Sequence, residues 1–313
     1  MGALEESWLD VGDGHALWVQ DDPSNRGEPV VLLHAGPGGR SHPAMRTLFD
    51  AASWRVVQYD QRGCGRSRPA GSVVNNSTPH LVADLEALRR QLRVERWALF
   101  GQSWGSALAL AYAQAYPQRC TGLLLSAVYL GDRADVRWFF DGPKALLPEA
   151  HAAMLDHLRP VERDDPLNSY FRRVFDDDPG ISVPAARAFF AYDLWLLPLH
   201  PDTERALDDR SDAEVLQFAR IFLHYLRHTF FLGDDVLLSG VPRIEHLPVR
   251  IVMGRHDIAV SLRAAWALKG RWPSAHWHVV PDGAYSPHQP PMRAALTAQA
   301  DALIQAIRAA GAA

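Results

Sequence analysis

Gly101-Gln102-Ser103-Trp104-Gly105 follows the apolar run Trp97-Ala98-Leu99-Phe100 and opens the alanine-rich stretch 104–116. A serine thus sits where an apolar strand turns directly into a helix, with glycine on either side. A nucleophile elbow requires this arrangement: the chain reverses within a few residues, small neighbours avoid collisions, and the serine hydroxyl is left exposed above the strand end. The backbone N–H of the next residue, Trp104, then faces a reacting oxygen. The alternative is a plain tight turn with a capping serine. G-x-S-x-G is common by chance, so the strand before it and the helix after it are what favour the elbow.

Outward from this turn, short apolar runs alternate with helical patterns. Residues 30–34 and 55–59 read as buried strands, each followed by a glycine-rich turn. Pro79 suits a first helical turn, after which Leu81, Leu85, Leu88 and Leu92 recur on one face, with Asp84, Glu86, Arg89 and Arg90 set off it. Residues 122–128 give another strand, 249–253 and 275–280 two more, and 292–309 a closing helix. Strands separated by helices predict an α/β fold, a mostly parallel sheet with helices on both faces. Between residues 131 and 240 the chain turns aromatic, proline-rich and acidic, as at Asp176-Asp177-Asp178, with helical segments and no clear strand. The division expected is a core from 1–130 and 241–313 and an inserted helical cap at 131–240.

Composition excludes several function classes. Of 313 residues, 48% are hydrophobic and 22% charged, as in soluble globular proteins with a sizeable core. Lys and Arg number 32 against 36 Asp and Glu, and no basic block could follow a phosphate backbone, so nucleic acid is not an expected partner. Cys64 and Cys120 lack metal-site or disulfide-framework spacing and read as reduced thiols of a cytoplasmic protein. The acidic start of the chain does not resemble a signal peptide, and no run reaches the roughly 18 apolar residues of a membrane span. No histidine and carboxylate spacing implies a metal, and no cofactor motif is present.

His34-Ala35-Gly36-Pro37-Gly38-Gly39 follows an earlier strand. Its glycines let the backbone approach a substrate oxygen, so Gly36 joins Trp104 as a candidate oxyanion donor. A phosphate loop is the rival, but neither phosphate-loop pattern is present and Pro37 removes an N–H that such a cradle would use.

With HAGPGG at 34–39, DQRGCGRS at 60–67, LVADLEALRRQL at 81–92, GQSWGSALALAYAQAYP at 101–117 and GRHD at 254–257, the chain resembles the proline iminopeptidases of the α/β-hydrolase superfamily. The resemblance implies an α/β-hydrolase fold with a helical cap, Ser103 as nucleophile and Asp257 as the acid that orients a histidine. At that histidine's place stands Tyr285, in Pro281-Asp282-Gly283-Ala284-Tyr285-Ser286-Pro287-His288. A phenol, with an ordinary pKa of about 10, is a poor acceptor for the serine proton. His288 is either a displaced base or the second, non-catalytic histidine of this loop; the surrounding sequence matches the second better. His256, His276 and His278 read as structural or surface residues.

The resemblance also implies cap carboxylates around a substrate's free amine. The first maps to Asp193, on a stretch that also offers Phe189 and Tyr192 to the substrate, and the second maps to Phe222. Loss of that carboxylate suits an uncharged substrate, because an ammonium against an apolar wall is desolvated without compensation. The expectation is a serine hydrolase for a small ester, amide or peptide, doubtful as a strict prolyl aminopeptidase. The alternatives are cyclisation, elimination or acyl transfer on the same fold, and a non-catalytic ligand-binding protein.

Overall fold

The computed structural model describes residues 3–197 and 209–312. Eight strands form one sheet: β1 (Glu5–Asp10), β2 (Ala16–Asp21), β3 (Glu28–Leu33), β4 (Trp54–Tyr59), β5 (Trp97–Gln102), β6 (Cys120–Ser126), β7 (Val249–Gly254) and β8 (His276–Val280). Their order is β1-β2-β4-β3-β5-β6-β7-β8. β1 and β2 pair antiparallel with each other and β2 antiparallel with β4, while the remaining pairs are parallel.

Both faces of the parallel part are covered, which is why β5 is buried at every position. Alternate residues of the central strands go to opposite faces. Val31, Leu33, Leu99, Leu123 and Leu125 face the helices Thr78–Gln91 and Trp104–Ala115. Val30, Leu32, Phe100, Leu124 and Val252 face Met292, Leu296, Leu303 and Ile304 of the closing helix, Pro290–Ala312. The Leu81, Leu85 and Leu88 stripe is buried as expected. Asp84, Glu86 and Arg89 are buried too, because each is paired. Arg62 donates to Asp84 at 2.7 and 2.8 Å, while Arg89 (2.7 Å) and the Tyr112 hydroxyl (3.0 Å) donate to Glu86.

Between β6 and β7 the described residues contain helices and no strand. The longer ones are Arg133–Asp141, Pro148–Asp156, Pro166–Val174, Pro179–Leu196 and Asp212–Arg227. Asp132, Asp165, Asp178 and Ser211 cap four of them through their side chains, so the acidic run at 176–178 is partly a helix start. The Asp212–Arg227 helix lies on the loops that follow β3 and β4. Gln217 donates to the carbonyls of Gly63 (2.8 Å) and Gly65 (3.1 Å), the Tyr225 hydroxyl to Asn76 (2.8 Å), and Arg40 to Glu214 (3.0 Å). A Cβ on Gly38 would stand 2.5 Å from the Phe218 carbonyl oxygen, so only glycine permits this contact. Among the described residues no helix is long and apolar enough to cross a membrane, and no cluster of three metal-ligating side chains occurs.

Candidate active site

Ser103 adopts φ 54°, ψ −123° between β5 and the Trp104–Ala115 helix. A non-glycine residue held there stores on the order of 1–3 kcal/mol, a strain that the surroundings must over-determine. They do so on three sides. Ser103 donates its N–H to the Ser126 carbonyl (3.0 Å), and its own carbonyl accepts from the N–H (2.8 Å) and hydroxyl (2.6 Å) of Ser106. The flanking glycines are steric requirements: a Cβ on Gly101 would come 2.3 Å from the Gly105 carbonyl oxygen, and one on Gly105 would come 2.1 Å from that of Leu33.

The loop after β3 brings Gly36 beside this turn with φ +124°. His34 holds the loop as a neutral ring. Its Nε2 accepts the Gln61 N–H (3.0 Å), so Nδ1 carries the proton and donates to the Ala35 carbonyl (2.9 Å). Burial pushes the pKa of this imidazole down, in keeping with the neutral form. Gln61 also receives the Trp104 indole N–H at 2.8 Å, tying the two candidate oxyanion segments together. Among the described residues neither the Gly36 nor the Trp104 backbone N–H has an intraprotein acceptor outside a helix or strand.

Tyr285 lies on the loop after β8, held by a 3.2 Å hydrogen bond from Gln102 to its carbonyl. Its phenol faces the Ser103 side chain across one cavity. Burial, reinforced by the charges of Asp193 and Asp257, pushes the phenol well above its ordinary pKa, so it stays protonated at neutral pH. Asp257 follows β7. One carboxylate oxygen accepts the Val260 N–H at 3.0 Å, and the other is buried with no partner. Burial raises this carboxyl to about 7. It does not line the cavity above Ser103 but borders a second one, of about 720 Å³, with Trp138 and Trp195. His288 is exposed, its ring edge-on to His42 at 5.0 Å, and it makes no hydrogen bond to Ser103 or Asp257. His256 and His276 are exposed as well.

The cavity above Ser103 holds about 480 Å³. Gly36 and Tyr285 stand at its floor with the serine, Phe139, Phe190, Phe218 and Phe222 form its wall, and Arg40, His42, Glu214 and His288 also border it. Phe189 and Tyr192, expected at the substrate, stand one layer behind. Phe189 packs on Phe139 and Phe222 at 5.6 and 5.7 Å, and the Tyr192 hydroxyl donates to the Phe139 carbonyl at 2.8 Å. Helical spacing explains the exchange: Phe190, Asp193, Leu194 and Leu197 share the cavity-facing stripe, while Phe189 and Tyr192 are buried among the helices between β6 and β7. Asp193 has no hydrogen-bond or ion-pair partner among the described residues, and burial alone raises it to about 7. Phe139, Phe218 and Gln102 escape the sequence reading. The run Trp138-Phe139-Phe140 on an otherwise charged helix is the one signal that points to a buried wall.

Comparison with known proteins agrees with this architecture. A family model described as alpha/beta hydrolase fold matches residues 28–288. A probable proline iminopeptidase of Leptolyngbya boryana is 39% identical over 286 residues, 90% of this chain and 88% of that protein. A proline iminopeptidase of Xylella fastidiosa is 37% identical over 96% of this chain and 97% of its own. Among solved structures, the proline iminopeptidase of Mycobacterium smegmatis has a TM-score of 0.61 at 20% identity, covering 98% of this chain and 100% of that one. A putative aryl esterase from Burkholderia cenocepacia has a TM-score of 0.64 at 18% identity, covering 99% and 100%; both structural likenesses speak for the fold alone. The chain therefore belongs to the α/β-hydrolase family, in its proline-iminopeptidase-like branch, and is an enzyme of that hydrolase type.

Proposed function

We propose that the protein hydrolyses a small, uncharged ester or amide through an acyl-enzyme on Ser103, with residues 131–240 acting as the cap that shapes the acyl pocket. The carrying observation is the strained serine at the floor of an aromatic-walled cavity, faced by Tyr285. In this reading the Ser103 Oγ attacks the carbonyl carbon, the N–H groups of Gly36 and Trp104 receive the developing oxyanion, and water later resolves the acyl-enzyme. Several relatives are named proline iminopeptidases, and a free-amine substrate is the obvious competitor. Phe222 argues against it, since it stands in the wall where the resemblance implies a second carboxylate. Comparing kcat/KM for p-nitrophenyl butyrate and proline p-nitroanilide tests this: the ester should be preferred, and a strong preference for the prolyl anilide would overturn it. Ser103→Ala should abolish turnover with little change in Tm, whereas full activity in that variant would remove Ser103 from the mechanism.

A second reading, acyl transfer, cyclisation or elimination, is favoured by one observation: a phenol, not an imidazole, faces Ser103. Stoichiometric labelling of Ser103 by a fluorophosphonate supports the acyl-enzyme. A protein that leaves the probe untouched supports the second reading.

A further inference from the structure

An acyl-enzyme mechanism needs a group that takes the serine proton and returns it to the leaving group, and among the described residues no histidine is hydrogen-bonded to Ser103. The inference drawn here rests on the reading that Ser103 is the nucleophile. Tyr285 faces Ser103 in the same cavity, yet a buried phenol cannot keep the proton it receives unless its own is passed on. Two carboxyls, Asp193 and Asp257, act electrostatically on that phenol, each raising its pKa. They differ in access. Asp257 has one oxygen engaged by Val260, and it lies outside the Ser103 cavity. Asp193 lines that cavity beside Phe139, Phe190 and Phe222, with neither oxygen engaged by another described residue.

We propose that the Asp193 carboxylate is the acid–base group of this site, exchanging a proton with Ser103 through the Tyr285 hydroxyl. The proton count closes. As the Ser103 Oγ bonds to the acyl carbon, its proton moves to the Tyr285 oxygen and the Tyr285 proton moves to Asp193, directly or through one water. No phenolate forms. Collapse of the tetrahedral intermediate breaks the bond to the leaving group, which takes a proton back along the same path, and deacylation repeats the cycle with water in place of serine.

A carboxyl that titrates near neutrality suits this work, and Asp193 is raised to about 7 by burial. Among the described residues, several charged and titratable groups border the same cavity. Arg210 and Glu214 stand between β6 and β7, His34, Arg40, His42, Tyr129 and His288 on the other sides of the cavity, and Tyr285 at its floor. Tyr192, its neighbour in sequence, turns inward to Phe139. None of these makes a hydrogen bond or ion pair with Asp193, and burial is the sole cause of its shift.

The test uses p-nitrophenyl butyrate, which carries no amine, so a role for Asp193 in amine recognition would leave its hydrolysis intact. For the wild type, kcat/KM should rise with pH through a midpoint near the Asp193 value of about 7. Asp193→Asn should lower kcat about a hundredfold or more with KM little changed, and should lose that limb. Asp193→Glu should keep the limb with a smaller loss. Should Asn not fold, as judged by near-ultraviolet circular dichroism, Asp193→Ala and its rescue by added formate supply the same readout. An Asp193→Asn enzyme within threefold of wild type with its pH limb intact overturns the relay and leaves the Ser103 reading standing. Fluorophosphonate labelling of Ser103 separates the two. A wild type that neither labels nor turns over the ester overturns both.

Discussion

Tyr285 faces Ser103 under a roof of phenylalanines, and the chemistry of the site turns on what that phenol does. Tyr285→Phe keeps the ring packing and removes the hydroxyl, so it should cost about a hundredfold in kcat/KM for an aryl ester. Tyr285→His places an imidazole between Ser103 and the unpartnered oxygen of Asp257, and should raise esterase activity. In that background Asp193→Asn should no longer matter, and steady-state kinetics on the double variant checks both claims. His288→Ala should lower kcat by less than about tenfold, because its ring rests on His42 at the exposed rim; a loss of several orders of magnitude would restore the displaced-histidine reading. At this scale the sequence shows the types and order of the residues, as at Ser103 and Tyr285. It does not show which side of a helix meets the substrate. Phe189 and Tyr192 were expected at the ligand and instead support Phe139, because a one-residue step around a helix turns a side chain by about 100°.

The β5 turn shows how an element carries the strain of its functional residue. Gly105→Ala would press a methyl group to 2.1 Å from the Leu33 carbonyl oxygen, where only backbone movement can relieve it. A loss of about 1–3 kcal/mol is expected, together with loss of fluorophosphonate labelling as the turn is displaced. Thermal melts and labelling measured on one preparation separate instability from misplacement. Unchanged values in both would contradict the steric account. The strands of the parallel core are legible because they are buried on both faces, as with β3, β5 and β6. β1 and β2 are not, since β1 is an exposed edge strand, Glu5–Asp10, whose acidic side chains conceal the alternation. The helix Leu262–Arg271 is also unread: its buried face is built of Ala264, Ala265 and Leu268, too small a stripe to announce itself.

For the whole molecule, Asp193 and Asp257 link stability to pH. Each is raised by burial from the ordinary 3.8 to about 7, so the folded state holds protons that the unfolded chain has already released. Their contribution is fully present below the ordinary carboxylate value and is lost as pH rises toward 7. The Asp193→Asn, Asp257→Asn double variant should therefore gain Tm relative to wild type progressively between pH 5 and pH 8, roughly the upper part of that window. A difference that does not change with pH would mean that neither carboxyl is shifted. Another property of the whole follows from Phe218 on Gly38, with Gln217 and Tyr225 fastened to the core on either side. The Asp212–Arg227 helix has no slack with which to lift, so it is a fixed beam, and its amides should exchange hydrogen no faster than those of β5. A ligand then meets a mould cast in advance: whatever fails to fit the space beneath that beam is refused at the threshold, because this part of the roof does not yield to admit it.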